Sequence, residues 1–254
     1  MSDGAPYVTV QRQGHVLIIA MSREAKRNAV DAQMTEALDF AFNELDDDPE
    51  LWAGVLTGTA TVFSAGNDLK AGSGSPTERG GAYGLITRRR ATPLIAAVEG
   101  YALGGGFELT LACDLVVAST TAVFGLPEVT RGVLALYGGL FRTARALPLN
   151  ISRELALTGA TLTAERAHSC GYVNRLTEPG QALHAAIELA ESICANAPVS
   201  VQQSLQVIND VVGADDHRAW AAVAAARETV LASQDLQEGI AAFAERRPPR
   251  WSGR

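Results

Sequence analysis

Two glutamates twenty positions apart, Glu108 and Glu128, are the side chains best placed to do chemistry in this chain. Glu108 closes the run Gly100-Tyr101-Ala102-Leu103-Gly104-Gly105-Gly106-Phe107-Glu108, and Glu128 follows Phe124-Gly125-Leu126-Pro127. A glycine triplet that opens a helix presents bare N–H groups at the positive end of a dipole. A carboxylate one turn further on points near the same spot, and a second one on a proline-fixed turn can meet it from the other side. Two carboxyl groups in different surroundings allow one site to hold an acid and a base near neutral pH.

The elements that must position them follow from the hydrophobic pattern. Residues 7–10 and 16–20 read as a hairpin joined near Gln13-Gly14. Residues 31–45 read as an amphipathic helix that starts at Asp31 and stops at Asp46-Asp47-Asp48-Pro49. Residues 54–57, 94–98 and 112–118 are short buried strands, the last followed by Val123-Phe124. Strand–helix alternation of this kind predicts α/β architecture. Beyond about residue 136 the pattern turns helical, with Ala-rich stretches at 179–196, 198–212 and 215–243. Residues 71–84 carry five glycines and Pro76. That segment resists regular structure and reads as a mobile surface loop or a functional lid. No internal sequence repeat is visible.

Composition narrows the classes. The 254 residues are 47% apolar and 19% charged, as in an ordinary globular protein of one large domain. A net charge of −7 speaks against nucleic acid or an anionic membrane as partner. The cysteines, Cys113, Cys170 and Cys194, are an odd number and far apart, which suits a reducing compartment. The opening residues Met1 to Pro6 read as neither signal nor transit peptide, and no apolar run approaches membrane-spanning length. A cytoplasmic location is therefore expected.

Other motifs fail. The glycine triplet does not complete a dinucleotide fingerprint, because Leu109 stands at the sixth position. No lysine follows a glycine as in a P-loop, and no serine sits in Gly-x-Ser-x-Gly. His15, His168, His184 and His217 are scattered without ligand spacing, so no metal site is expected.

Taken in order, several segments resemble the crotonase superfamily, the enoyl-CoA hydratase/isomerase family. They are Arg27-Asn28-Ala29-Val30, Phe63-Ser64-Ala65-Gly66-Asn67-Asp68-Leu69-Lys70, the glycine run to Glu108, Phe124-Gly125-Leu126-Pro127-Glu128, Leu157-Thr158-Gly159, 164–173 and Ala242-Phe243-Ala244-Glu245-Arg246. The resemblance implies a ββα-spiral catalytic core, taken as residues 1–195. A C-terminal helical region, 196–254, would assemble trimers or hexamers. It implies an acyl-CoA substrate, with no cofactor beyond the coenzyme A that the substrate itself carries. Backbone N–H groups at Asn67 and Gly105 would hold the thioester oxygen, and Glu108 and Glu128 would move protons as water adds across a 2,3 double bond. Having both glutamates favours hydration over the family's other activities. Coenzyme A would meet Lys26, Ala29, Ala65, Asp68, Leu69 and Lys70, and Phe243 and Arg246 match positions that in several members reach a neighbouring subunit's CoA. Pro127, Leu136 and Tyr137 would line the acyl pocket.

Two departures stand out. Ala135-Leu136 replaces a usual Pro-Gly, in a stretch whose amide helps position water, and Glu24 stands where proline is usual. Alternatives within the fold are an enoyl-CoA isomerase or a dehydratase of a polar acyl-CoA such as a carnitinyl thioester. A non-catalytic CoA-binding or RNA-binding oligomer is a further class, disfavoured by the paired glutamates and the acidic charge.

Overall fold

The computed structural model describes residues 6–254. Residues 1–5, part of the segment read as free of a targeting signal, lie outside the described range. The chain opens with strands β1 (Val8–Gln13) and β2 (Val16–Met21), an antiparallel hairpin turned at Gly14. Helix α1 (Ala32–Asp47) follows. Asp31 is its N-cap, with its carboxylate accepting from Met34 N at 3.0 Å.

Then the chain winds as a spiral. Strands β3 (Ala53–Thr57) and β4 (Val62–Ser64) make one turn. β5 (Leu94–Val98), β6 (Tyr101–Leu103) and helix α2 (Gly105–Leu111) make the next, and β7 (Leu115–Ser119) with β8 (Val123–Gly125) a third. The first strand of each turn joins one sheet and the second joins another. The large sheet runs β1-β2-β3-β5-β7 and ends on the later strand β10 (Arg175–Thr177). The small sheet runs β4-β6-β8 and ends on β9 (Thr161–Thr163). The repeat is thus structural, carried by period-two apolar strands and tight turns, with no matching repeat of sequence.

Both faces of the large sheet are covered, so its central strands are apolar throughout. Alternation still sorts the side chains. Leu17, Ile19 and Met21 join the main core with Met34, Leu38 and Phe42 of α1. Val16, Ile18, Val55, Ile95 and Val117 face the other way. There they meet Ala182, Ala186 and Ala190, one stripe of helix α6, once the helices α3 (Gly139–Ala146), α4 (Leu149–Thr158), α5 (Ala164–Ser169) and α6 (Ala182–Cys194) have passed.

Three helices close the chain: α7 (Pro198–Val212), α8 (Asp216–Leu231) and α9 (Gln234–Glu245). The single long stretch expected over 215–243 is therefore two helices. Ser233 breaks it by capping α9, its hydroxyl accepting from Leu236 N at 3.2 Å. The strand expected at 112–118 begins at Leu115, because Ala112 still ends α2. The three-residue strands β9 and β10, like β4 and β6, are too short to show a period in sequence.

The expectation of a mobile surface loop at 71–84 needs correction at its end. Ala82–Gly84 form a 3₁₀ turn, with Tyr83 fully buried. The turn leans on α1, where a β-carbon at Gly84 would lie 2.6 Å from Asp39 N. The Thr77 hydroxyl donates to the Asp39 carboxylate at 2.6 Å.

Candidate active site

β4 and β6 are parallel neighbours, with Ser64 opposite Ala102. The loops leaving their C-terminal ends therefore meet. One loop carries Gly66 and Asn67, the other Gly104 and Gly105. Gly66 has φ +82°, and a β-carbon there would come within 2.6 Å of the Gly105 nitrogen. Glycine is required for the two loops to touch. Beneath them Gly106 packs on β4, where a β-carbon would fall 2.0 Å from the Ser64 carbonyl oxygen. Neither the Asn67 nor the Gly105 N–H donates to another backbone or side-chain group among the described residues. Two donors without a protein acceptor thus lie on the two touching loops, Gly105 at the start of α2.

Glu108 lies one turn into α2 and is buried, at 1% exposure. Its Oε1 accepts N–H bonds from Tyr137 at 2.7 Å and Gly139 at 2.9 Å. The amides of the segment in which Ala135-Leu136 replaces Pro-Gly are therefore directed at Glu108 itself. Glu128 sits in the 3₁₀ turn Pro127–Arg131, and its Oε1 lies 3.0 Å from where a β-carbon of Gly104 would stand. Its Oε2 is buried without a hydrogen-bond partner.

Burial raises both carboxyls, Glu108 to about 8 and Glu128 to about 7. For Glu108 the second cause is the neighbouring Glu128 charge, opposed by the two amides. With burial raising both and Glu128 raising Glu108 further, the pair holds one proton between pH ~7 and ~8. Taken alone these values leave the shared proton on Glu108; the two amides on Glu108 and the unpartnered Oε2 of Glu128 pull it the other way, and hydration as proposed below requires it on Glu128.

A residue that sequence reasoning passed over completes the cluster. The Tyr83 hydroxyl donates to Asn67 Oδ1 at 2.8 Å. It also lies over Gly105, where a β-carbon would meet it at 2.1 Å. Its ring packs edge-on against Tyr137 with centroids 4.8 Å apart. Burial first, then the Glu108 charge, holds its phenol well above the ordinary range. Its one signal in the sequence is that it is the lone aromatic among the glycines of 80–84.

Most of the residues matched to coenzyme A also come together. Ala65 N donates to Arg27 O, Val30 N to Gly66 O and Asp68 N to Val30 O, so the 26–30 and 65–70 loops are zipped. Arg23 locks them further by pairing with Asp31 and Asp68, each at 2.9 Å. The Asp68 side chain is thereby a tie within the loop, also accepting the amides of Lys70 and Ala71. Lys26, Ala65, Leu69 and Lys70 are exposed on these loops, and Ala29 is half-buried.

Phe243 and Arg246 stand apart from the zipped loops. They lie at the end of α9, which packs on the Pro127–Arg131 turn of its own chain, with the Arg131 guanidinium 4.4 Å from the Phe243 ring centroid. Of the three acyl-pocket candidates, Pro127 opens the Glu128 turn and Tyr137 touches Tyr83, its hydroxyl 3.2 Å from Ser73 Oγ. Leu136 is half-buried beside Tyr137.

A cavity of about 960 Å³ lies elsewhere, lined by Arg89, Arg90, Asp114, Arg142, Arg145 and Trp220 among others, and neither glutamate reaches it. Among the described residues no group of three or more His, Cys, Asp or Glu could hold a metal, and no helix is long and apolar enough to cross a membrane.

Comparison with known proteins agrees with the geometry. A sequence model described as enoyl-CoA hydratase/isomerase matches residues 11–254. The chain is 37% identical to the enoyl-CoA hydratase EchA19 of Mycobacterium tuberculosis, over 99% of this chain and 98% of that one. It is 38% identical to a carnitinyl-CoA dehydratase of Salmonella arizonae, over 95% and 97%. A crystal structure of a carnitinyl-CoA hydratase from Mycobacterium avium superposes with a TM-score of 0.94 at 40% identity, covering 99% of this chain and all of that one. The chain is an enzyme of the enoyl-CoA hydratase/isomerase family, within the crotonase superfamily.

Proposed function

We propose that this enzyme is an enoyl-CoA hydratase, adding water across the 2,3 double bond of a 2-enoyl-CoA thioester. One observation carries the reading: two buried carboxyls with raised pKa flank a pair of N–H groups that have no protein acceptor. Attack of water on C3 pushes electron density onto the thioester oxygen. The Asn67 and Gly105 amides meet that charge, and each such donor is worth roughly 10²–10³ in rate. Glu108, its anion favoured by two amides, takes the proton of the attacking water. Glu128 gives its proton to C2. The pair ends with its one proton on Glu108, and exchange with solvent resets it.

Exposed Lys26 and Lys70 would meet the phosphates of coenzyme A beside Ala29, Ala65, Asp68 and Leu69. Phe243 and Arg246, at the end of α9, would meet the coenzyme A of a neighbouring subunit. A homotrimer or hexamer is supported by α7, which buries no residue and leaves Val207, Ile208, Val211 and Val212 exposed in a row.

A second reading runs the same chemistry backwards, as dehydration of a polar 3-hydroxyacyl-CoA of the carnitinyl type. It is favoured by relatives of that name at 37–38% identity. Turnover of crotonyl-CoA, a 3-enoyl-CoA and carnitinyl-CoA, followed through the enoyl thioester's ultraviolet absorbance, separates hydratase, isomerase and dehydratase. Rapid turnover of the 3-enoyl thioester alone would overturn the proposal.

A further inference from the structure

Tyr83 packs against Tyr137, one of the acyl-pocket candidates, and its geometry is unusual. The residue has φ +56° and ψ +13°, a left-handed backbone that is unfavourable for a bulky side chain. Gly81 and Gly84 on either side have φ +68° and +70°, as such a turn requires. Strain of this kind persists only where the surroundings over-determine it.

Here the surroundings are the reaction centre itself. The phenol lies on the Gly105 backbone, bonds the Asn67 side chain, and packs on Tyr137, whose backbone N–H holds Glu108. The ring thus packs against both the Gly105 backbone and Tyr137. It is 0% exposed and belongs to the main core.

We infer that Tyr83 is the specificity-determining residue of the acyl site, its ring closing the pocket so that the enzyme takes thioesters of short acyl groups and rejects long aliphatic ones. This rests on the acyl-CoA reading above. In an open apolar pocket each added methylene raises affinity several-fold. Behind a fixed, buried ring the trend reverses, because a longer chain must displace well-packed atoms.

Calorimetric binding of saturated butanoyl-CoA and decanoyl-CoA tests this without any turnover. The native enzyme is expected to bind butanoyl-CoA at least tenfold more tightly than decanoyl-CoA. Tyr83→Gly removes the ring and relieves the positive φ, which offsets part of the lost core packing; with a native circular dichroism spectrum as its control, it should abolish or invert that ratio. Tyr83→Phe keeps the ring and should keep the preference for the short chain. Equal or tighter binding of decanoyl-CoA by the native enzyme would overturn the proposal, as would an unchanged ratio in Tyr83→Gly. Failure to bind either thioester would instead overturn the acyl-CoA reading on which it rests.

Discussion

Residues 80–84 and residues 104–108 are both glycine-rich, and both deliver a buried side chain to the same point. They use glycine differently. In 104–108 the glycines remove β-carbons so that neighbours can close in: Gly106 sits against the Ser64 carbonyl and Gly105 under the Tyr83 phenol, while Gly66 of the facing loop approaches the Gly105 nitrogen. In the proposed reading this segment offers the ligand both main-chain N–H and the Glu108 carboxyl. In 80–84 the glycines supply positive φ on either side of a tyrosine, so that the turn can thrust a side chain inward. The two meet where the Tyr83 hydroxyl lies over Gly105. Glycine content alone does not distinguish a mobile loop from a rigid wall; the partner of the following residue does.

The largest effect expected comes from the carboxylates that the second segment carries and faces. Glu108→Gln and Glu128→Gln should each lower turnover by roughly 10²–10⁴ while leaving acyl-CoA affinity nearly unchanged. Glutamine can still accept the Tyr137 and Gly139 amides through its carbonyl oxygen, so the geometry should survive. Steady-state rates on the best substrate check this. Near-native turnover in both variants would remove the two-carboxylate mechanism.

The contact between the two segments can be broken directly. Gly105→Ala places a β-carbon 2.1 Å from the Tyr83 hydroxyl position, an overlap that must shift either the ring or the amide. Turnover should fall about 10²-fold, the scale of one lost oxyanion donor. If the clash is the cause, the double variant with Tyr83→Gly should recover at least part of that loss. No recovery would mean that the alanine acts on the main chain of α2 alone, and that the two segments are independent.

Much of 104–108 was legible in sequence and little of 80–84. Glu108, Glu128, Asn67 and Gly105 carry their signal in fixed local runs, and the zipped 26–30 and 65–70 loops bring most of the other matched residues together. Helix α7 and strand β5 were also readable to the residue, because each is bounded by strong punctuation. Tyr83 was not readable, since its role depends on contacts with Asn67 and Gly105, sixteen and twenty-two positions away. The amides on Glu108 were hidden for a similar reason: they come from Tyr137 and Gly139, about thirty residues on, across a departure from the family's Pro-Gly.

A smaller effect concerns pH and the burial that the two segments create. The folded carboxyls sit at about 8 and about 7, above the roughly 4.3 of an unfolded glutamate. The folded state therefore holds more protons than the unfolded one between those values. The stability the pair contributes is fully present below pH ~4.3 and is lost as pH rises through about 7 to 8. The double Glu→Gln variant has no such loss. Its Tm relative to the native enzyme should be higher at pH 8.5 than at pH 5, as scanning calorimetry at the two values would reveal. A difference that is constant with pH would mean that the pair titrates normally in the folded protein.

The smallest effect expected is at Asn67. The proposed donor there is the backbone N–H, which alanine keeps. What Asn67→Ala removes is Oδ1, the acceptor of the Tyr83 hydroxyl. The phenol would then be buried with its O–H unpaired, a loss of about 1–3 kcal/mol borne by the fold rather than by the transition state. Turnover should stay within about tenfold of native, far from the 10²–10³ of a lost oxyanion donor, while Tm drops. Adding Tyr83→Phe, which removes the stranded hydroxyl, should restore most of the lost Tm. Turnover as low as in the glutamate variants would place the Asn67 side chain in the chemistry. An unchanged Tm would mean that the bond between the loop and the Tyr83 turn contributes nothing to holding the two segments together.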